Sequence, residues 1–281
     1  MNDFEEASTY EELLKIAEKR LLDAGIVDAK PDAWYLMEYV TGFSRAFYFL
    51  NKDKNVPDED KQRYFQCVDK RASHIPLQHI TGVQEFMGLE FKVNEHVLVP
   101  RQDTENLVEQ ALPYVKGKKV LDMCTGSGCI AVSVKVIGGA KLCDAADISE
   151  EALRVAGYNA KLNKADINFI RSNMFDDIKE FYDVILSNPP YIRPDVIKGL
   201  MPEVRDHEPV IALDGGEDGL DFYRILAEES KKHLEKEGII MMEIGFDQGK
   251  QVKKLFEDAG YKDVKVIKDY SKNDRIVTAH V

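Results

Sequence analysis

The sequence predicts a doubly wound α/β domain with a mostly parallel sheet and an antiparallel last strand, preceded by a small helical bundle and a β-hairpin linker. Three observations predict it. From residue 118 onward, short apolar runs alternate with amphipathic runs of helical period, which is how strands read when helices cover both faces of a sheet. Before about residue 75, apolar side chains recur only at helical spacing. The two final extended runs, 261–268 and 275–281, leave a connection too short for a parallel crossover, so they should be antiparallel neighbours.

At 281 residues the chain is long enough for two domains of roughly 100–200 residues each. A net charge of -12 argues against a broad basic face for a nucleic acid backbone. The start, Met1-Asn2-Asp3-Phe4-Glu5-Glu6, is acidic and has no apolar core, so it does not read as a signal peptide. No apolar run approaches the roughly 18 residues a membrane span needs. Cys67, Cys124, Cys129 and Cys143 form no Cys-x-x-Cys pair, and the histidines lack metal-ligand spacing. A reduced, cytoplasmic, metal-free protein is expected.

Taken in order, Thr9 and Glu12 form a capping box. Leu13, Ala17 and Leu21 then mark a helix that Gly25 stops. Pro31 opens a second helix carrying Trp34, Leu36, Met37 and Val40, which ends near Gly42. Residues 44–50 are short and aromatic, and Pro57 fits the first turn of a helix reaching about Ser73. Residues 1–75 are thus expected to form a bundle with an aromatic core. In the linker, 76–104, Phe86, Leu89, Phe91 and Val93 form one extended run and Val97 and Val99 another, with Asn94-Glu95-His96 as the turn. Thr104 or Asp103 caps a helix over 106–115. Arg101 by itself reads as a solvated turn charge. The domain 105–281 then alternates: strand 118–123, helix 128–137, strand 141–147, helix 149–163, strands 167–173 and 182–187, helix 220–235, strand 238–244, helix 249–259 and the two final strands.

The first strand runs into Asp122-Met123-Cys124-Thr125-Gly126-Ser127-Gly128. Gly126 and Gly128 let backbone approach a ligand at a helix amino end, and Asp147, ending the next strand, suits ribose hydroxyls. Gly-x-Gly-x-x-Ala alone fits a dinucleotide, an adenosyl ligand or neither. Its place after the first strand, with an acid one strand later, makes it a nucleoside site. Asp147 has a second reading as a brace for the helix starting at Ser149. Asp122 favours a ligand with a cationic amino acid part, S-adenosylmethionine, over a pyrophosphate.

A later strand runs into Ser187-Asn188-Pro189-Pro190-Tyr191-Ile192. Neither proline has an N–H, and each forces its predecessor towards extended geometry. The result is a stiff corner with free carbonyls, an amide oxygen from Asn188 and the ring of Tyr191. Such a corner suits a planar group bearing an NH2. Read blandly, it is a strand-ending turn.

Together with Val99-Pro100-Arg101-Gln102-Asp103-Thr104-Glu105, Pro76-Leu77-Gln78-His79-Ile80-Thr81-Gly82, Glu208-Pro209, Gly215 to Leu220, Met242-Glu243-Ile244-Gly245 and Gln248-Gly249, these motifs resemble the HemK/PrmC family of peptide chain release factor glutamine methyltransferases. The resemblance runs from about residue 76 to the carboxyl end. It implies a Rossmann-like methyltransferase domain with S-adenosylmethionine as methyl donor. The donor would lie against Cys124, Thr125, Gly126, Ser127, Gly128, Asp147, Met174 and Asn188. Asn188, Pro189, Pro190 and Tyr191 would carry catalysis, with the Asn188 oxygen and the Pro189 carbonyl accepting the two hydrogens of the substrate amide and Tyr191 packing on its plane. The substrate implied is the glutamine of the Gly-Gly-Gln loop of class-1 release factors, with the bundle recognising a remote part of that protein. Cys124 stands where the family has glycine, and keeps the turn if its φ is negative. Asn173 stands where it usually has an acid, and Met174 where it often has an aromatic. Three alternatives use the same residues: an adenine amino methyltransferase on DNA or RNA, a nicotinamide oxidoreductase, and a non-catalytic nucleotide-binding adaptor.

Overall fold

The computed structural model describes residues 7–281, so the acidic start on which the signal-peptide expectation rests lies outside the described residues. The chain forms two compact units, Met1–Gly82 with Pro202–His207, and Val83–Met201 with Glu208–Val281.

The first unit is helical. α1 (Tyr10–Asp23) opens on the expected capping box, Thr9 Oγ1 accepting the Glu12 N–H and the Glu12 carboxylate accepting the Thr9 N–H. Its Leu13, Ala17 and Leu21 face is buried. α2 (Ala29–Thr41) begins before Pro31, which therefore sits inside the first turn, where its missing N–H leaves no bond unmade. It ends on Gly42 at φ 70°. α3 (Arg45–Asn51) is capped by Ser44, and α4 (Asp58–Ala72) follows Pro57. α5 (Leu77–Thr81), a short helix the sequence did not announce, packs Leu77 and Ile80 on the same core. Arg71 is buried and paired with Asp32 at 2.7 Å and Glu203 at 3.0 Å.

The second unit starts with a hairpin, β1 (Val83–Phe86) and β2 (Leu89–Lys92). Its turn is Met87-Gly88, not Asn94-Glu95-His96. Both turn residues take the left-handed conformation, at φ 53° and 72°, that a two-residue hairpin turn requires. Asn94 Oδ1 instead accepts the His96 N–H in a local side-chain turn, and Val97 and Val99 lie outside any strand. α6 (Gln102–Val115) leads to β3 (Lys119–Met123), α7 (Cys129–Val136), β4 (Leu142–Asp147), α8 (Glu150–Leu162), β5 (Asn168–Arg171) and β6 (Tyr182–Ser187). After α9 (Asp221–Glu229) come β7 (Leu234–Glu243), α10 (Gly249–Asp258), β8 (Lys262–Lys268) and β9 (Asp274–His280). The helix expected over 220–235 is shorter because Ser230–His233 tighten into a 3-10 turn and Leu234 pairs with Tyr182 of β6.

The sheet order is β5-β4-β3-β6-β7-β9-β8. β9 runs antiparallel to both its neighbours, and the other pairs are parallel. Alternate residues face opposite layers, as the pleat dictates. Leu121, Ile185 and Ile240 pack on one side with Tyr223 and Phe256, and Val120, Val184 and Ile239 on the other with Leu107 and Val132. The chain winds outward from β3 to β5 and then returns to β6 on β3's other side. A crevice opens at the carboxyl ends on either side of that reversal.

Candidate active site

A cavity of ≈ 250 Å³ occupies this crevice. Its walls come from Met123 to Ser127 after β3, Asp147 to Ser149 after β4, Ser172 to Met174 after β5, and Asn188 and Pro190 after β6. His96 to Leu98, Pro100 and Arg101 form another wall, with Pro209, Ile211 and Ala212.

Gly126 sits at φ 54° with open space where a Cβ would stand, so backbone lies bare to the cavity. Its N–H donates to Asp147 Oδ2, and the Ser149 N–H donates to Asp147 Oδ1, both at 2.9 Å. Asp147 thus braces the glycine turn and the start of α8 together, while Ser149 provides the cap itself by accepting from Ala152. Burial raises the Asp147 carboxyl above its ordinary range, and the backbone N–H groups oppose this. Each carboxylate oxygen keeps a further acceptor site for hydroxyls.

Three expectations for this end are corrected. Asp122 does not reach the cavity. It is fully buried, and Oδ2 accepts from Thr125 Oγ1 at 2.6 Å and the Ala131 N–H at 3.1 Å, stitching the turn from behind. Burial pushes its carboxyl up to about 7. Gly128 also lies behind the cavity. At φ 80°, a Cβ on it would stand 3.0 Å from the Ala156 Cβ, so its lack of a side chain serves the packing of α7 on α8. Cys124, finally, takes φ 62° rather than a negative value. An L-residue there carries about 1–2 kcal/mol of strain that glycine avoids. Met174 is likewise left-handed, at φ 48°, and its sulfur meets Cys124 Sγ at 3.8 Å. Thr125, Ser127, Cys124, Met174 and the exposed Asn173 all line the cavity.

At the other end stands the proline corner. Asn188 lines the cavity and donates from Nδ2 to Thr104 Oγ1 at 3.1 Å. Thr104 donates on to Glu243 Oε2 at 2.7 Å, and the Tyr191 hydroxyl donates to Glu243 Oε1 at 3.2 Å. Pro190 lines the cavity, whereas Pro189 and Tyr191 do not; the Tyr191 ring is drawn inward by this bond. Behind the corner, the Ile192 N–H donates to the Leu213 carbonyl and the Gly215 N–H to the Ile192 carbonyl, both at 2.9 Å. Gln248 Nε2 donates to the Tyr191 and Gly219 carbonyls, each at 3.0 Å. A Cβ on Gly215 would stand 2.6 Å from Tyr191 Cα. Across the mouth, Arg101 is no free surface charge. It pairs at 2.5 Å with Glu208, whose buried carboxylate also accepts the Val99 N–H.

Residues 12–82 match the PrmC N-terminal domain family, and residues 102–200 the Methyltransferase small domain family. The chain is 39% identical to the release factor glutamine methyltransferase of Agrobacterium fabrum, over 93% of this chain and 94% of that protein. With the namesake of Clostridium acetobutylicum the identity is 40%, over 88% and 90% of the two chains. It is 35% with that of Geobacter sulfurreducens, over 100% of both. This chain belongs to the release factor glutamine methyltransferase family. Among solved structures, a methyltransferase from Pyrococcus furiosus shares the fold at a TM-score of 0.54, with 20% identity, over 69% of this chain and 90% of that one.

Seen from within the family, the sequence left Glu208, Glu243 and Gln248 without a role, and Thr104, expected as a helix cap, lies inside a helix that starts at Gln102 without a side-chain cap and bonds Glu243 instead. All four are buried polar side chains. Each stands in a segment that carries the family resemblance, but what it touches is set by the fold.

Proposed function

We propose that this chain transfers a methyl group from S-adenosylmethionine to the side-chain nitrogen of the glutamine in the Gly-Gly-Gln loop of class-1 release factors, in the cytoplasm. One observation carries the reading. An amide side chain on a proline-locked corner faces the same cavity as a bare glycine turn and its bracing carboxylate. The cavity fits the donor by its chemistry. Asp147 offers acceptors to ribose hydroxyls, and Ile148, Ala152 and Met174 offer an apolar slot for a flat base. When bound, the donor supplies a methyl group on a sulfonium that leaves as a neutral thioether.

The chain's own contribution is positioning. An amide nitrogen is a weak nucleophile, because its lone pair is shared with the carbonyl, and it is too weakly acidic for a base to help. Asn188 Oδ1, on the cavity wall, takes one of its hydrogens, and the Pro189 carbonyl, beside the wall rather than on it and accepting no bond from the described residues, takes the other as the substrate amide enters the corner. That fixes the lone pair in line with the transferring methyl and stabilises the positive charge that develops on nitrogen; as the sulfur–methyl bond breaks and the nitrogen–methyl bond forms, one N–H proton passes to solvent and leaves a neutral N-methyl amide. Pro190 prevents the corner from turning away. The first unit supplies the surface that recognises a remote part of the release factor.

Incubating the full chain with a class-1 release factor and labelled donor, then mapping the product by mass spectrometry, tests this. One added methyl on that glutamine is expected. Asn188→Ala should lower turnover at least about a hundredfold while donor affinity changes little. Label appearing on DNA or RNA but not on the release factor would refute the assignment.

A further inference from the structure

The hydrogen-bond chain behind the proline corner has a direction, and that direction decides which end of the Asn188 amide faces the cavity. Glu243 lies at the carboxyl end of β7, 2% exposed; burial raises its carboxyl, and the hydroxyls of Thr104 and Tyr191 and the charge of Arg275 oppose this. A hydroxyl is directed at each of its two oxygens, so the carboxylate serves as the acceptor at both. Thr104 must therefore spend its single hydroxyl hydrogen on Glu243 Oε2 at 2.7 Å. What remains on Thr104 Oγ1 is a lone pair, so its contact with Asn188 at 3.1 Å requires an N–H from Asn188. A carboxamide that points its nitrogen at Thr104 turns its oxygen the other way. The other carboxylate oxygen of Glu243 takes the Tyr191 hydroxyl, anchoring the far end of the corner to the same group.

We propose that Glu243 and Thr104 are positioning residues that set the orientation of the Asn188 amide, presenting Oδ1 rather than Nδ2 to the substrate NH2. The inference deepens the proposed glutamine methylation and rests on it. The opposite orientation would aim a donor at a donor. Asn188 has no means of choosing by itself, since its two ends have nearly the same shape. The choice is made by a carboxylate that never reaches the cavity. Thr104 is 2% exposed, and its hydroxyl is engaged by these two partners.

Thr104→Val and Thr104→Ser separate this role from packing. Valine keeps the shape and loses the acceptor; serine keeps the acceptor and loses a methyl. Orientation through Thr104 predicts that Thr104→Val lowers kcat on the release factor at least about tenfold, with donor Kd and protein-substrate KM within about threefold of the parent, while Thr104→Ser stays near the parent. Packing predicts the reverse order. Glu243→Gln, which can point an N–H at Thr104 and reverse the chain, should lose kcat like the valine variant. Normal kcat in Thr104→Val or in Glu243→Gln, or equal losses in Val and Ser, would overturn the inference. Nuclear magnetic resonance gives a readout independent of turnover. An Asn188 side-chain NH2 proton should show a nuclear Overhauser contact to Thr104 in the full parent chain. Absence of that contact sinks the inference even where methylation proceeds. Parent enzyme that leaves the release factor unmodified yet shows the contact would defeat the proposed function and keep the orientation.

Discussion

At the scale of single residues, the side chains around the glycine turn divide into those that line the cavity and those that hold the turn from behind. Asp122 belongs to the second group, and this has a consequence for pH. Its ordinary value is 3.8 and burial raises it to about 7. A carboxyl raised on folding contributes stability that is complete below its unfolded value and is lost as pH climbs through the folded one. The window here is therefore about pH 4 to 7. The full shift corresponds to roughly 4 kcal/mol as an upper figure. Asp122→Asn, which cannot ionise, should gain stability relative to the parent as pH rises from 5 to 8. Denaturant unfolding at each pH measures this; a flat difference would show that the group is not what titrates. From the sequence, an acid before a glycine turn reads equally well as facing a ligand or facing the core. Only the position of the Thr125 hydroxyl and the Ala131 N–H decides.

Among the elements, the corner after β6 depends on what lies behind it. Gly215 has an ordinary φ, so its need is for space rather than conformation: a Cβ there meets Tyr191 backbone at 2.6 and 2.8 Å. Backbone cannot rotate aside as a side chain would. Gly215→Ala should displace the corner, lowering kcat by at least about tenfold, with about 1–3 kcal/mol lost from stability and donor affinity near the parent's. Single-turnover kinetics beside calorimetry with the donor would show the split, and unchanged kcat would mean the corner tolerates the shift. Much at this scale was legible beforehand. The parallel strands follow from apolar runs, the strand-to-helix turn from its glycines, and the corner from its prolines. The turn of the β1–β2 hairpin was not, because Met87-Gly88 is a weaker signal than Asn94-Glu95-His96, and the stronger turn former was already engaged in a local bond to its own backbone. The end of α9 escaped for a similar reason: Leu234 suits a helix face and a strand equally, and pairing with Tyr182 settles it.

At the scale of the whole chain, the first unit ties its two sequence segments together around a buried cation. Arg71 answers Asp32 from α2 and Glu203 from the segment Pro202–His207, and it also donates to the Ile75 carbonyl. Removing one partner of a buried pair leaves the other charge stranded, at a cost of about 3–5 kcal/mol. Arg71→Met should destabilise the first unit by this order and release Pro202–His207 to rapid hydrogen exchange, while donor binding by the second unit persists. Protection of that segment unchanged in the variant would show that something else retains it. None of this was foreseeable from the arginine's spacing, because its partners come from far apart in the chain.

The strand order carries a last consequence, for the way the protein is made. β9 is synthesised after β8 yet lies between β8 and β7. Until it emerges, β8 has no neighbour to zip onto, and Glu243 waits without the cation that β9 brings at Arg275. Translation therefore delivers the corner after β6 well before the strand that brings its remote cation. The surroundings of Glu243 are complete only once β9 pairs between β7 and β8.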